Sequence, residues 1–292
     1  MNWIQEKKTV ISPEEEAFIL TRAYVPEHIV SLMTLISKGD PFLTEDHLGF
    51  VKDNWLIMVG YPLETRFSQE NSVRILKQAV ETFRPEYLWF IGPEIPHSLQ
   101  GSCKERETDQ YYKLALDQTK PKPSLQRVAE KASKELIVER GHSISKEHEG
   151  LISELLKREK LPPRLRELYR AMPDYVALSS TACVLNARDM KGKLCAFFVV
   201  ELGAKNFSTY VLGSHSKRYY VSHASDLLFF EMIKLTQEQG KNIIHLGLGV
   251  NAGIRRFKEK WGGIPYLNYE FCERYYGYTR TVSLIKSLEG KL

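Results

Sequence analysis

The richest chemistry in the chain lies in residues 242–263, NIIHLGLGVNAGIRRFKEKWGG. The apolar run at its start reads as a buried strand, closed by Gly247 and Gly249. Glycines at a strand end let backbone N–H groups face outward. Asn251 is placed to cap the helix that follows. Ile254, Phe257 and Trp261 form one apolar stripe on that helix, and Arg255, Arg256, Lys258 and Lys260 occupy its other faces. A glycine loop entering a helix N-terminus is a natural anion site, because free N–H groups and the helix dipole both point there. A tight turn before a solvated basic helix gives the same pattern, and the residues alone leave both readings open. His245 would act as a proton acceptor if it faces a cleft, and as a satisfied core residue if it does not.

Upstream, residues 217–225 read KRYYVSHAS. Lys217 and Arg218 could meet phosphates. Tyr219, Tyr220 and His223 could stack on a base or line an acceptor groove, with loop packing as the alternative. Tyr210, in the preceding strand, could donate a hydrogen bond to a leaving group or simply pack within a sheet.

The elements that must position these residues follow from periodicity. Residues 47–63 predict two strands about the Lys52-Asp53-Asn54 turn. Residues 68–83 carry Val73, Leu76, Val80 and Phe83 at helical spacing, with Ser68 as N-cap and Arg84-Pro85 as stop. Residues 87–91, YLWFI, predict a buried strand before Gly92-Pro93. The second half repeats that order. Residues 182–187 and 194–201 predict a hairpin, residues 207–213 a third strand, residues 225–239 a helix ending at Gly240, and residues 242–248 a buried strand. A recurring order of hairpin, helix, strand and glycine points to a duplicated α/β fold. Between the halves, residues 124–133 and 145–159 carry helical periodicity. The proline-rich stretch Lys120-Pro121-Lys122-Pro123 suits a linker, which places domains at 1–120 and 121–292.

A chain of 292 residues, 43% hydrophobic and 26% charged, has apolar material for a core in each half and is not disordered. No run reaches the roughly 20 apolar residues that cross a bilayer. The opening MNWIQEKKTVISPEEE lacks the blocks of a secretory signal, so the expected location is cytoplasmic, with peripheral membrane contact left open. The net charge of +5 suits nucleotide phosphates, tRNA or acidic lipids, and equally a solvated surface. Cys103, Cys183, Cys195 and Cys272 show no paired spacing and are expected as buried free thiols. No metal-ligand spacing is present, so no metal is expected.

The order Gly240, strand, Gly247-x-Gly249, then Gly253-Ile254-Arg255-Arg256-Phe257-Lys258 and Trp261-Gly262 resembles the C-terminal signature of Fem-type aminoacyltransferases. It is also similar to FemAB-like acyltransferases and to the C-terminal domain of lysylphosphatidylglycerol synthases. The likeness spans residues 181–275, and only element order over the first half. It implies an α/β protein (an α+β mixed sheet) built as two tandem domains of the GNAT acyltransferase superfamily, the first degenerate and supporting or acceptor-binding. It implies transfer of an acyl or aminoacyl group to an amine or hydroxyl of a cell-envelope precursor, lipid or small molecule. In Fem-type enzymes the donor is an aminoacyl-tRNA. The resemblance places Lys258 near the reacting carbonyl, and it implies no tightly bound cofactor and no DNA partner. CoA-using GNAT domains hold pyrophosphate on a glycine loop before the long helix, and residues 217–225 contain no glycine. The alternatives are an acyl-CoA-dependent N-acyltransferase and a non-catalytic binding protein on the same fold.

Overall fold

The computed structural model describes residues 11–119, 121–159, 161 and 163–277. Lys120 of the linker lies outside them. The chain opens with α1 (Pro13–Arg22), set by a reciprocal capping box between Ser12 and Glu15 and by Pro13 in the first turn. A short 3-10 turn (Pro26–His28) leads to α2 (Val30–Ser37). Then come β1 (Asp40–Thr44), β2 (His47–Lys52), β3 (Trp55–Val59), α3 (Gln69–Phe83), β4 (Tyr87–Gly92) and the long β5 (Glu105–Ala115). The second half runs α4 (Pro123–Ala132), β6 (Leu136–Gly141), α5 (Lys146–Arg158), α6 (Pro163–Leu178), β7 (Ala182–Asp189), β8 (Leu194–Glu201), β9 (Phe207–His215), α7 (Ala224–Glu238), β10 (Ile243–Leu248), α8 (Ala252–Lys260) and β11 (Ile264–Tyr275).

The expected repeat is present. β2 and β3 are antiparallel, α3 crosses over, and β4 lies parallel to β3; β8, β9, α7 and β10 repeat this arrangement. All eleven strands of the described residues form one mixed sheet, ordered β1-β2-β3-β4-β11-β5-β10-β9-β8-β7-β6. Its centre is an exchange. β11, from the end of the chain, pairs with β4 of the first half. β5, from the first half, pairs with β10 of the second. The two exchanged strands then pair with each other, from Ile264 opposite Lys113 to Glu273 opposite Glu105.

Helices cover both faces. On one, α3 packs on a first-half core around Leu56, Leu76 and Phe90, while α4 and α7 pack on a second-half core around Phe198, Phe229 and Trp261. On the other, α5 and α6 cover Val184, Phe197 and Val199. Residues from the N-terminal helices join both cores on that second face. Ile19 and Val30 pack with Phe50 and Phe271, whereas Ala23, Ile29 and Leu32 pack with Met172 and Tyr175.

The cysteine expectation needs a correction. Cys183 and Cys195 are free and buried, but Cys103 and Cys272 form a disulfide. They are 169 residues apart in sequence, and the β5–β11 pairing brings them together, with Cys272 opposite Arg106.

The exchange sets an outcome for dissection of the chain. A fragment ending at residue 119 leaves β4 without its β11 neighbour, and one starting at 121 leaves β10 without β5. Each fragment alone is expected to lack a cooperative thermal transition by circular dichroism, and an equimolar mixture to recover it. A sharp transition in either isolated fragment would show that the exchanged strands are dispensable. Replacing the fully buried Phe271 of β11 with Ala should lower stability by about 3–5 kcal/mol in urea titration.

Candidate functional site

β9 and β10 lie parallel only from Phe207/Ile243 to Thr209/His245. β9 continues to His215 and β10 to Leu248 with no further pairing between them, so the strands splay. A bulge between His245 and Gly247 turns β10 toward β5. The first half keeps no such opening. β3 and β4 pair along all five residues of β3, the Gly60 N–H donates to the Ile91 carbonyl at 2.6 Å, and the Phe90 ring lies over Gly60 and Gly92.

Lys258 sits at the splayed end. Its residue is 5% exposed, and its Nζ donates to the Leu248 carbonyl and lies 5.5 Å from the centre of the Tyr112 ring. Burial pulls its pKa down to about 7, against an opposing pull from Asp109. The helical pattern put Lys258 on an outer face of α8. The structure turns it inward because β5 closes over the start of that helix. The loop feeding α8 is fixed by three devices. Gly247 adopts φ +71, open to glycine at little cost. Gly249 leaves room for Asp109, whose Oδ1 would lie 2.7 Å from a Cβ there. Asn251 caps α8, accepting from the N–H groups of Gly253 and Ile254 at 3.0 Å. Asp109 also accepts the Val250 N–H at 2.8 Å. Arg255 is exposed, with its stem against Gly249.

The other candidates separate from this group. His245 is 1% exposed and stacks edge-on to Tyr111 and Tyr266, on the opposite face of β5 from Tyr112. Its Nδ1 accepts the Gly247 N–H at 3.1 Å, which fixes the ring proton on Nε2. Burial, then the nearby Lys258 charge, push its pKa down to about 3. With its one lone pair already engaged, His245 offers a donor and no proton acceptor. Tyr210 packs on Phe198 at 4.9 Å with its hydroxyl at Gly213, and burial raises its pKa. Lys217 and Arg218 are exposed, Arg218 lies 5.3 Å over the Tyr219 ring, and Tyr220 is 63% exposed.

His223 takes φ +66 at the N-cap of α7 and pairs with Asp226 at 3.0 Å. Asp226 was not legible as a site residue. From the first turn of α7 it holds Lys260 Nζ at 2.5 Å and Trp261 Nε1 at 3.1 Å. Lys260, though exposed, is therefore paired rather than free to raise the potential of the loop. Asp109, Tyr111 and Tyr112 were missed for another reason: they come from β5, a strand of the other half. Among the described residues, no group of His, Cys, Asp and Glu is placed to hold a metal ion, and no helix is long and apolar enough to cross a membrane.

No family model matches the chain, and no curated protein matches it. Solved structures do. The fold is that of a tandem GNAT protein. It is similar to L-PGS from Bacillus licheniformis, with a TM-score of 0.56 and 16% identity over 96% of this chain and 97% of that one. It is similar to FemX, with a TM-score of 0.58 and 11% identity over 88% and 94%. A tandem GNAT protein from the clavulanic acid biosynthesis pathway superposes with a TM-score of 0.53 and 12% identity over 91% and 96%.

The depressed pKa of Lys258 can be read directly. In a ¹³C-lysine NMR titration one Cε resonance should move with a midpoint near pH 7 and vanish in Lys258→Met. Asp109→Asn removes the charge that raises that pKa and should move the midpoint lower. A lysine titrating near 10 in the wild type would show the ammonium to be solvated.

Proposed function

We propose that this chain is an acyl- or aminoacyltransferase that works where β9 and β10 part. The observation that supports this best is Lys258, a buried amine with a carbonyl as its partner, aimed from α8 at the end of the splayed strand. An acceptor amine or hydroxyl attacks the donor carbonyl carbon. A bond to nitrogen or oxygen forms, the bond to the donor's leaving oxygen or sulfur breaks, and the acceptor proton passes to the leaving atom. The Lys258 ammonium faces the oxyanion that develops between these events. In a site shielded from water, such a cation contributes on the order of 3–4 kcal/mol.

The donor reading rests on α7. CoA-using GNAT domains bind pyrophosphate at the start of the corresponding helix, where N–H groups and the dipole attract anions. Here that position carries the Asp226 carboxylate, tied to His223, Lys260 and Trp261. With the helix start occupied by this ion-paired carboxylate and no glycine in the loop before it, the pyrophosphate cradle of a CoA site is missing, which favours an aminoacyl-tRNA donor, as the Fem-type resemblance implies, over acyl-CoA. A lipid-linked or small-molecule precursor is the acceptor class that goes with it. The open splay is the feature that still suits a pantetheine arm, so acyl-CoA is the second reading.

A thermal-shift screen against free CoA, acyl-CoAs, aminoacyl-tRNA and cell-envelope precursors separates these. Ligand at 100 times its Kd stabilises by about 2.7 kcal/mol. A shift with aminoacyl-tRNA or a precursor and none with CoA is expected. A shift with CoA species would move the assignment to the second reading, and silence from all would favour a binding protein. With the donor found, Lys258→Met should reduce turnover by about 10²–10³-fold. The wild-type rate should fall as pH rises through about 7, because the ammonium is lost there. Lys258→Arg, which stays charged, should remove that fall.

A further inference from the structure

α8 carries Lys258, yet it has little apolar anchorage of its own. Of its nine residues Lys258 is the buried one, Phe257 is half-buried and Ile254 is 38% exposed. So short a helix has little intrinsic stability, and burying an amine costs free energy. The helix must therefore be held from its ends. Asn251 and the Asp109–Val250 contact hold its start. Its end is held by Asp226, which stands in the first turn of α7 and is 5% exposed. Asp226 Oδ1 accepts from Lys260 Nζ at 2.5 Å and from Trp261 Nε1 at 3.1 Å. Its Oδ2 lies 3.0 Å from His223 Nδ1. Both oxygens are engaged, which fixes the orientation of the carboxylate.

The hold on Trp261 reaches Lys258 through the backbone. Trp261 is the C-cap of α8, is 1% exposed and packs 5.0 Å from the Phe229 ring of α7. Phe229 also lies 5.5 Å from the Phe257 ring, and with Leu228 and Met232 it belongs to the second-half core, so α7 is a fixed post. The Trp261 N–H donates to the Lys258 carbonyl at 3.1 Å, and the Gly263 N–H donates to the same carbonyl at 2.9 Å. Whatever fixes the level of Trp261 therefore fixes the level of Lys258. The charge that acts on the Lys258 ammonium is that of Asp109, so Asp226 governs Lys258 by geometry. Without Asp226 the indole N–H would be buried and unpaired, a cost relieved when the end of α8 lifts toward water.

We propose that Asp226 is a positioning residue of the transfer site: its carboxylate clamps the end of α8 to the start of α7 and so holds the Lys258 ammonium where β9 and β10 part. The role in turnover rests on the transferase reading, whereas the hold on Lys258 does not. Asp226 touches neither substrate nor reacting atoms in this assignment. It sets where the amine stands and how much water reaches it.

The test uses the whole protein and the ¹³C-lysine titration of Lys258, with folding checked by circular dichroism. In Asp226→Ala the Lys258 midpoint should rise by about one pH unit as water reaches the amine. Asp226→Asn keeps an oxygen for Lys260 and Trp261 and turns an N–H to His223, so it should stay close to the wild type. Leu76→Ala, which costs stability in the first-half core, should leave the midpoint unmoved. With a donor in hand, Asp226→Ala should lower kcat by about tenfold or more with KM little changed. The pH at which its rate falls should move up with the midpoint. If Asp226→Ala does not fold, Trp261→Phe decides, since it keeps a buried ring, removes only the N–H and should raise the midpoint by less. A wild-type midpoint in the folded variant would overturn the proposal. So would an Asn variant as damaged as the Ala variant, a midpoint that moves in Leu76→Ala, or an unchanged kcat. A midpoint that moves in a protein with no turnover of any donor would leave the clamp standing and remove the transferase reading.

Discussion

The pairing of β5 with β11 is the constraint on which the rest of this structure depends. Among the described residues each is the last strand of its own half, and each completes the other half's sheet. Without it the two parallel pairs would each end in an open edge. With it, one sheet runs unbroken from β1 to β6, and helices from the first 40 residues can reach both cores of one face. The disulfide between Cys103 and Cys272 ties the outer end of the same pair. The candidate site inherits this arrangement, since the wall facing α8 and the end of β10 is β5, from the opposite half of the chain.

Charge placement at the site follows from burial more than from the number of cations. Four basic residues crowd α8, but they have different fates. Lys260 is neutralised by Asp226, Arg255 remains at the surface, and Lys258 alone is drawn inside. Asp109 keeps its distance from the Lys258 ammonium while bonding the Val250 N–H, so it tempers the cost of burying that charge without cancelling it. The result is an amine poised near neutrality in a site otherwise short of counterions.

Much of the fold could be read from sequence where periodicity was strong. The hairpin of β7 and β8, the helices α3 and α7, and the caps Ser68 and Asn251 follow from apolar spacing and local polar residues. β5 was not legible. Its first half, Glu-Arg-Glu-Thr-Asp-Gln, alternates among polar residues because it lies at the edge of the covered region, and only Tyr111 onward is buried. Lys258 was legible as a functional candidate through the glycine-helix pattern and the resemblance, but its inward turn was not. That turn depends on a strand whose Tyr112 lies 146 residues before Lys258, and a local pattern holds no record of it. The cysteine pairing failed for the same reason. Asp226 and Asp109 carried no signal because a single carboxylate in a helix or strand is ordinary until its neighbours are known.

The alternation of β5 gives its length a meaning of its own. Tyr111 faces Glu27 and His245, and Tyr112, the next residue, faces Lys258 on the other side. One strand therefore partitions two compartments, and neighbouring side chains serve as the wall of each. Adding or deleting a single residue upstream within this strand would trade the two walls at once and present each compartment with the other's lining. A length change in the connection between β4 and β5, residues 93–104, would leave that alternation untouched. The strand itself behaves as a fixed ruler against which both sides of the sheet are measured.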